Sequence, residues 1–140
     1  MTTYLGGDAT LEISTNSGST YVTLGCIQSI GDITISTTEV ETTCLGAAAK
    51  TYRVSTTQEF QPFDVVLIFD PGNSVHEDLE SVDDTEFTFR ITMDDGTGSG
   101  YYYVFTGKVN QFVYGGFTND GVITGTATIR PTSDFTKTSY

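Results

Sequence analysis

A two-residue alternation of apolar and polar side chains runs through residues 87–130, and it restricts the chain to antiparallel β-structure more firmly than any other feature. Phe87, Phe89, Ile91 and Met93 place one apolar face on the first strand, with Thr and Arg between them. The pattern continues, after turns rich in glycine, in residues 101–105, 109–114 and 123–130. So much one-sided sheet with so few reactive groups is typical of a scaffold or a binding protein rather than an enzyme.

Length and composition indicate one all-β domain. A chain of 140 residues buries about two-thirds of its unfolded surface, so its core needs no disulfide or metal. Nine Phe and eight Tyr supply large core side chains in the absence of Trp. The many Thr residues suit the half-exposed surface of a sheet.

The chain is strongly acidic, with a formal net charge of −12 and a pI near 4.1. Such a charge repels phosphates and excludes conventional nucleic-acid binding. Many of the acids crowd between residues 77 and 95, where they form either a solvated, solubilising face or a surface that repels a polyanion. The predicted acidic surface, facing solvent or a lumen, consists of Asp83, Asp84, Glu86, Asp94 and Asp95.

Catalytic, metal and cofactor chemistry has little support in the sequence. His76 is the single histidine, and we expect it to be exposed on an acidic helix. Cys26 and Cys44 are expected to be small buried hydrophobic residues, although one disulfide stays open. We therefore predict no catalytic site, cofactor or metal. A signal peptide and a membrane-spanning run are also not indicated, which favours folding in a cytoplasm.

Residues 36–60 lack a sustained pattern and are predicted to form a long central loop. The loop is either a flexible insertion or an arm that becomes ordered against a partner, since its apolar residues would otherwise lie in water. The residues predicted to contact another subunit here are Val40, Leu45, Tyr52 and Val54.

Residues 63–69 read as a strand that is apolar on both faces. Phe63, Val65 and Leu67 mark one face, and Val66 and Ile68 make the other face apolar too. Such a strand needs a cover on both sides. The second cover is either the helix or a neighbouring subunit, so Val66 and Ile68 are also predicted interface residues.

One short helix follows the break at Asp70-Pro71-Gly72. Ser74 is predicted to cap it, with Glu77 completing a capping box. The apolar face is predicted to consist of Val75, Leu79 and Val82.

Taken in order, these segments resemble the major tail protein, or tail tube protein, of long-tailed bacteriophages and related gene-transfer particles. The likeness spans about residues 8–131, and the order and spacing of its motifs carry it. The matching stretches are residues 11–14, 17–21, 27–30, 41–43, 69–71, 103–107 and 125–131, with Leu24, Lys50, Tyr52, His76, Leu79 and the turn at 115–116.

The resemblance implies a β-sandwich or partly rolled antiparallel β-barrel with one flanking helix and flexible N- and C-terminal ends. It also implies rings of six copies that stack into a hollow tail tube, with the long loop and the chain ends bridging subunits. The expected partners are other copies and the tape-measure, terminator and baseplate components. DNA would pass through without specific binding, and no membrane is involved. The expected location is the virion tail, assembled in the host bacterial cytoplasm.

A monomeric β-sandwich binding module, immunoglobulin-like or carbohydrate-binding, is the alternative function. In that protein Tyr101 to Tyr103 would offer an exposed stacking platform.

Overall fold

The computed structural model describes residues 2–46 and 48–140, with only the backbone described at residues 55 and 56. Within these residues antiparallel strands dominate, accompanied by one short α-helix and a 3-10 helix at Gly6–Asp8, so the predicted all-β fold is confirmed. The elements are β1 (Thr10–Ser14), β2 (Val22–Thr23), β3 (Ile27–Ile30), β4 (Ile35–Glu41), β5 (Tyr52–Phe60), β6 (Phe63–Ile68), α1 (Ser74–Glu80), β7 (Glu86–Asp94), β8 (Gly100–Gly115), β9 (Thr124–Pro131) and β10 (Thr136–Ser139).

The long strand β8 divides the main sheet into two parts. Its first half pairs with β7 on one edge and β10 on the other, and β7 leads on to β1 and β2. Its second half pairs with β9, which leads on to β6 and β3. We call these parts the first and the second half-sheet. The strands β4 and β5 pair with each other in a separate two-stranded sheet.

The alternating side chains of β7 lie at the centre of the core. Phe89 and Ile91 are buried, as the alternation predicts. The Phe89 ring stacks on Phe105 of β8 at a centroid distance of 5.5 Å, and Phe105 lies 5.9 Å from Phe63 of β6. The core therefore joins both half-sheets. Met93, at the end of the predicted apolar face, is 37% exposed.

The segment 36–60 is a β-hairpin for most of its length, and its prediction as a long loop is wrong. β4 and β5 pair along most of their length, with a register shift in the middle. Their described side chains are mostly exposed on both faces, so the sequence lacks the alternation of a half-buried strand. At the open end of the hairpin, its base, the ring of Phe60 packs against Phe135 with a centroid distance of 5.2 Å. Residue 47 lies outside the described residues.

The C-terminal end also differs from the prediction, which ended the folded core near residue 131 and left a flexible tail. Thr136–Ser139 instead forms β10, paired antiparallel with Tyr101–Val104 of β8. All four side chains of β10 are exposed, so the sequence offers no apolar signal for this edge strand.

The short helix exists, but its cap and its buried face were predicted wrongly. Asn73 is the N-cap and accepts a hydrogen bond from the Val75 N–H at 2.9 Å, so Ser74 is the first helical residue and the capping box does not form. Leu79 is buried as expected. Val82 lies beyond the helix end and is exposed, and His76 takes its place on the buried face.

His76 is buried, contrary to the expected exposed position. Its Nδ1 accepts a hydrogen bond from the Asp70 N–H at 2.9 Å, and its Nε2 donates one to the Leu24 carbonyl at 2.5 Å. Because a backbone N–H can only donate and a carbonyl can only accept, the ring is neutral with its proton on Nε2. A Cβ at Gly25, which has a φ of +92°, would stand 2.9 Å from Nε2. The ring therefore joins three separate parts of the chain.

The two cysteines are exposed and unpaired, so their predicted burial is wrong. Cys26 follows the turn at Gly25, and Cys44 lies in the loop at the tip of the hairpin, where neither reaches the core. Within residues 2–46 and 48–140, no helix combines the length and the apolar character needed to cross a membrane.

We predict that His76→Phe lowers the free energy of unfolding by about 2–4 kcal/mol, because it leaves the buried Leu24 carbonyl and the part-buried Asp70 N–H without their partner. Urea unfolding followed by circular dichroism measures the change. Glu77→Gln, on the exposed side of the same helix, is the control and should stay within about 0.5 kcal/mol of the parent. Equal stability of the two variants would show that the ring only fills space.

Candidate subunit interface and acidic surface

Four of the predicted interface residues lie on the β4–β5 hairpin. Val40, Tyr52 and Val54 are exposed on its strands, and Leu45 is fully exposed in the loop at its tip. Val40 stands opposite Arg53 in the register, one position out of phase with Tyr52 and Val54. Because side chains alternate along a strand, Val40 faces one side of the hairpin and the two others face the opposite side. The hairpin thus has apolar groups on both faces.

The other two predicted residues, Val66 and Ile68, lie on the outward face of β6. They are half-buried, whereas Val65 and Leu67, which alternate with them along the strand, are fully buried. The six predicted residues therefore occupy two separate sheets. The structure does not bring them together into one patch.

The outward face of the second half-sheet continues from β6 onto its neighbours. The register places Val66 opposite Thr126 of β9, and Thr126 opposite Val113 of β8, so these three side chains form one row. Asp64 lies at one end of this face, outside the row. Its carboxylate accepts a hydrogen bond from the Thr128 hydroxyl at 2.7 Å. The centre of this face is uncharged and partly apolar.

Two edges of the second half-sheet are open within the described part of the chain. β3 pairs only with β6, and residues 110–115 of β8 pair only with β9. Open edges present unpaired N–H and C=O groups, which can pair with another chain.

A cluster of exposed apolar side chains around the β8–β9 turn was not predicted. The sequence signal that could have indicated this cluster is a large apolar residue beside the glycines of a turn, because Phe117 follows Gly115-Gly116. The cluster consists of Val113, Tyr114, Phe117, Val122 and Ile123.

The predicted acidic surface is divided between the two ends of β7. Asp83, Asp84 and Glu86 lie at its start and are exposed, and Asp94 and Asp95 lie at its end. A strand of this length separates the groups by about 26 Å, since each residue adds about 3.3 Å. Proximity in sequence therefore does not produce one patch.

The acids at the start of β7 are fixed by local partners. Asp84 pairs with Lys108 at 2.8 Å, and this hydrogen bond raises the pKa of the lysine. The side-chain and backbone hydrogen bonds from Thr85 lower the pKa of Asp83. Among the described residues, no cluster of three or more acids, cysteines and histidines is arranged to hold a metal ion.

The acids at the end of β7 hold the turn into β8. Asp94 accepts hydrogen bonds from the Tyr140 hydroxyl at 2.8 Å and from the Gly96 N–H at 2.7 Å, and these lower its pKa. Hydrogen bonds from Thr97 lower the pKa of Asp95 in the same way. Desolvation and the bond to Asp94 raise the pKa of Tyr140 to about 12. Both carboxylates thus stabilise the turn, and that of Asp94 also holds the Tyr140 side chain.

Several solved structures share this fold over nearly the whole chain. The tail of an empty gene transfer agent particle, refined with helical and C6 symmetry, matches with a TM-score of 0.74 at 11% identity, covering 97% of this chain and 99% of that one. The six-fold symmetrised baseplate of the anti-feeding prophage gives 0.80 at 8% identity, with 99% and 97% covered. The SPP1 tail tube gives 0.75 at 8% identity, with 99% and 80% covered.

No protein-family model and no curated protein sequence matches the chain. At these identities the likeness to solved structures establishes the fold, which is the one that the sequence resemblance implied.

We predict from the pKa shifts that Asp94 and Asp95 titrate below the ordinary value of 3.8, whereas burial raises the pKa of Asp78 above it. Since the folded-state pKa of Asp94 is lowered, its stabilising contribution is present above pH 3.8 and is lost as the pH falls through that lowered value. Carboxyl carbon shifts in an NMR pH titration give the order directly. A midpoint for Asp94 at or above that of Asp78 would contradict the hydrogen bonding of this turn.

Proposed function

We propose that this protein is a virion structural protein that assembles into stacked hexameric rings and so forms a tail tube that conducts DNA. The observation that carries the proposal is the match of the whole fold to subunits of tail and baseplate assemblies, two of them described with six-fold or C6 symmetry. Its partners would be further copies of itself and the other tail components, and its location the virion tail.

The open edges of the second half-sheet support ring formation. β3 at one edge and residues 110–115 of β8 at the other are different surfaces of one molecule, so a contact between them is heterologous. A heterologous contact closes into a ring when its rotation allows. The half-buried Val66 and Ile68 lie on the outward face of the same half-sheet, and a neighbouring copy packed on that face would cover them.

The exposed hairpin supports the step from ring to tube. Its strands form a sheet separate from the main one and expose apolar side chains on both faces, which a monomer leaves in water. A neighbouring ring would cover them.

The acidity of the chain suits passage of DNA. Each ring of six copies carries a large negative charge, and phosphates near it meet repulsion. Screening confines that repulsion to about 8 Å at physiological salt. The acids at the two ends of β7 would then act as a non-adhesive surface.

The alternative of a carbohydrate-binding module has less support, because its tyrosine platform is occupied. Tyr102 stacks on Tyr140 at 4.4 Å, and the Arg90 guanidinium lies 4.5 Å from the same ring. The Lys137 ammonium covers Tyr101 at 4.4 Å. A sugar would have to displace these contacts.

Electron microscopy of the concentrated protein tests the proposal. Rings or filaments with six-fold symmetry are expected. A protein that stays monomeric at every concentration, and that binds a glycan through Tyr101 to Tyr103, would favour the alternative.

We predict that Val66→Asp raises the protein concentration required for ring formation by about tenfold or more. The reason is that a carboxylate would replace an apolar side chain in the contact. The measurement is the fraction of rings against protein concentration, with circular dichroism confirming that the variant folds. Val22→Asp is the control, because Val22 is an exposed valine on β2 in the other half-sheet. Normal rings from a folded Val66→Asp protein would show that this face makes no contact.

A further inference from the structure

An apolar groove lies beside the base of the hairpin. Its volume is about 190 Å³, and only apolar surface is exposed within it. The groove is lined by Ile33, Ile35, Ile91, Met93, Tyr103 and Phe135. An apolar cavity of about 150 Å³ accepts benzene, so this groove has room for a leucine side chain.

Two acids adjoin residues that line the groove. Asp32 and Asp134 are the chain neighbours of the lining residues Ile33 and Phe135, and both are exposed. Neither is paired with a base among the described residues. The ammonium of Lys137, two residues beyond Phe135, is held over the ring of Tyr101. An apolar side chain flanked by basic residues therefore fits the groove.

The tip of the hairpin, together with the adjoining part of β5, combines an exposed apolar residue with two bases. Residues 42–58 contain no acid and carry Lys50 and Arg53, so this segment has a charge of +2 in a chain of net charge −12. Neither base forms a salt bridge within the described residues. Leu45, in the same loop, is fully exposed. No other stretch between successive acids of the sequence holds two bases.

We propose that the groove of one copy receives Leu45 of a second copy, with Lys50 and Arg53 of that copy facing the bordering acids. The inference rests on the proposed function and names the site that would receive the hairpin. The tip cannot reach its own groove, because Ile35 lines the groove at the base of β4 and the strand extends for about 20 Å before the tip loop begins. Each contact leaves one tip and one groove free, so the contact is heterologous and can continue from copy to copy along a stack.

Cross-linking through the native cysteine of the tip tests the contact directly. Cys44 adjoins Leu45, and Cys26→Ser leaves it as the single thiol, to be labelled with a photoactivatable maleimide. In concentrated protein, mass spectrometry should find cross-links between copies at the groove residues. Leu45→Ser should reduce their yield about tenfold, since the apolar anchor is lost. Val82→Ser, at an exposed valine just beyond α1, is the matched control and should keep the yield.

Cross-links between copies that fall elsewhere would overturn the groove proposal while leaving the proposed function intact. So would Leu45→Ser protein that stacks normally. Absence of any ring or filament in the parent protein would instead contradict the proposed function, and this inference with it.

Charge reversal supplies a second test. Lys50→Glu with Arg53→Glu makes the tip acidic, and Asp32→Lys with Asp134→Lys makes the border of the groove basic. All four positions are exposed, so folding should be kept. Each double variant alone should form rings that do not stack, because like charges then meet. An equal mixture of the two variants should stack, since each tip then finds a groove of opposite charge. A mixture that fails to stack, when the parent protein stacks, would contradict the proposed contact between tip and groove.

Discussion

The passage of β8 from one half-sheet to the other is the constraint on which the rest of the fold depends. Gly107 lies at the point where β8 exchanges partners, opposite Phe87 on β7 and Pro131 on β9. A Cβ there would meet the Arg130 carbonyl at 3.0 Å and the Ile129 side chain at 3.2 Å. The bulge two to four residues later then turns the strand. Because one continuous strand serves both half-sheets, they share a single core.

This arrangement buries the inward-facing side chains but leaves several apolar surfaces and sheet edges of the molecule exposed. The side chains that face inward on both half-sheets are buried, whereas the hairpin, the β8–β9 turn and two sheet edges remain uncovered among the described residues. Isolated exposed apolar residues are ordinary, but contiguous ones with open edges mark contact surfaces. The buried core and the uncovered edges are thus consequences of the same topology.

The sequence predicts the parts of the fold in which one face is buried. β7 and β9 alternate because one side packs on the core, so period two is visible in residues such as Phe89 and Ala127. The hairpin escapes prediction because both of its faces meet water. His76 escapes it because its partner Leu24 lies 52 residues away. The predicted interface residues are single positions in the sequence, and their division between two sheets depends on strand pairing, which no local pattern shows.

The net charge bears on how identical copies of this chain can come together. Copies of charge −12 repel one another. At physiological salt that repulsion decays within about 8 Å, so it acts mainly on surfaces about to touch. A contact must therefore offset the repulsion locally, with apolar burial and with the few bases available. Arg90 and Lys108 are already paired with Glu12 and Asp84. Of the remaining four bases, Lys50 and Arg53 lie close together in the sequence on the hairpin, so the hairpin is the segment best placed to offset the charge of a second acidic copy.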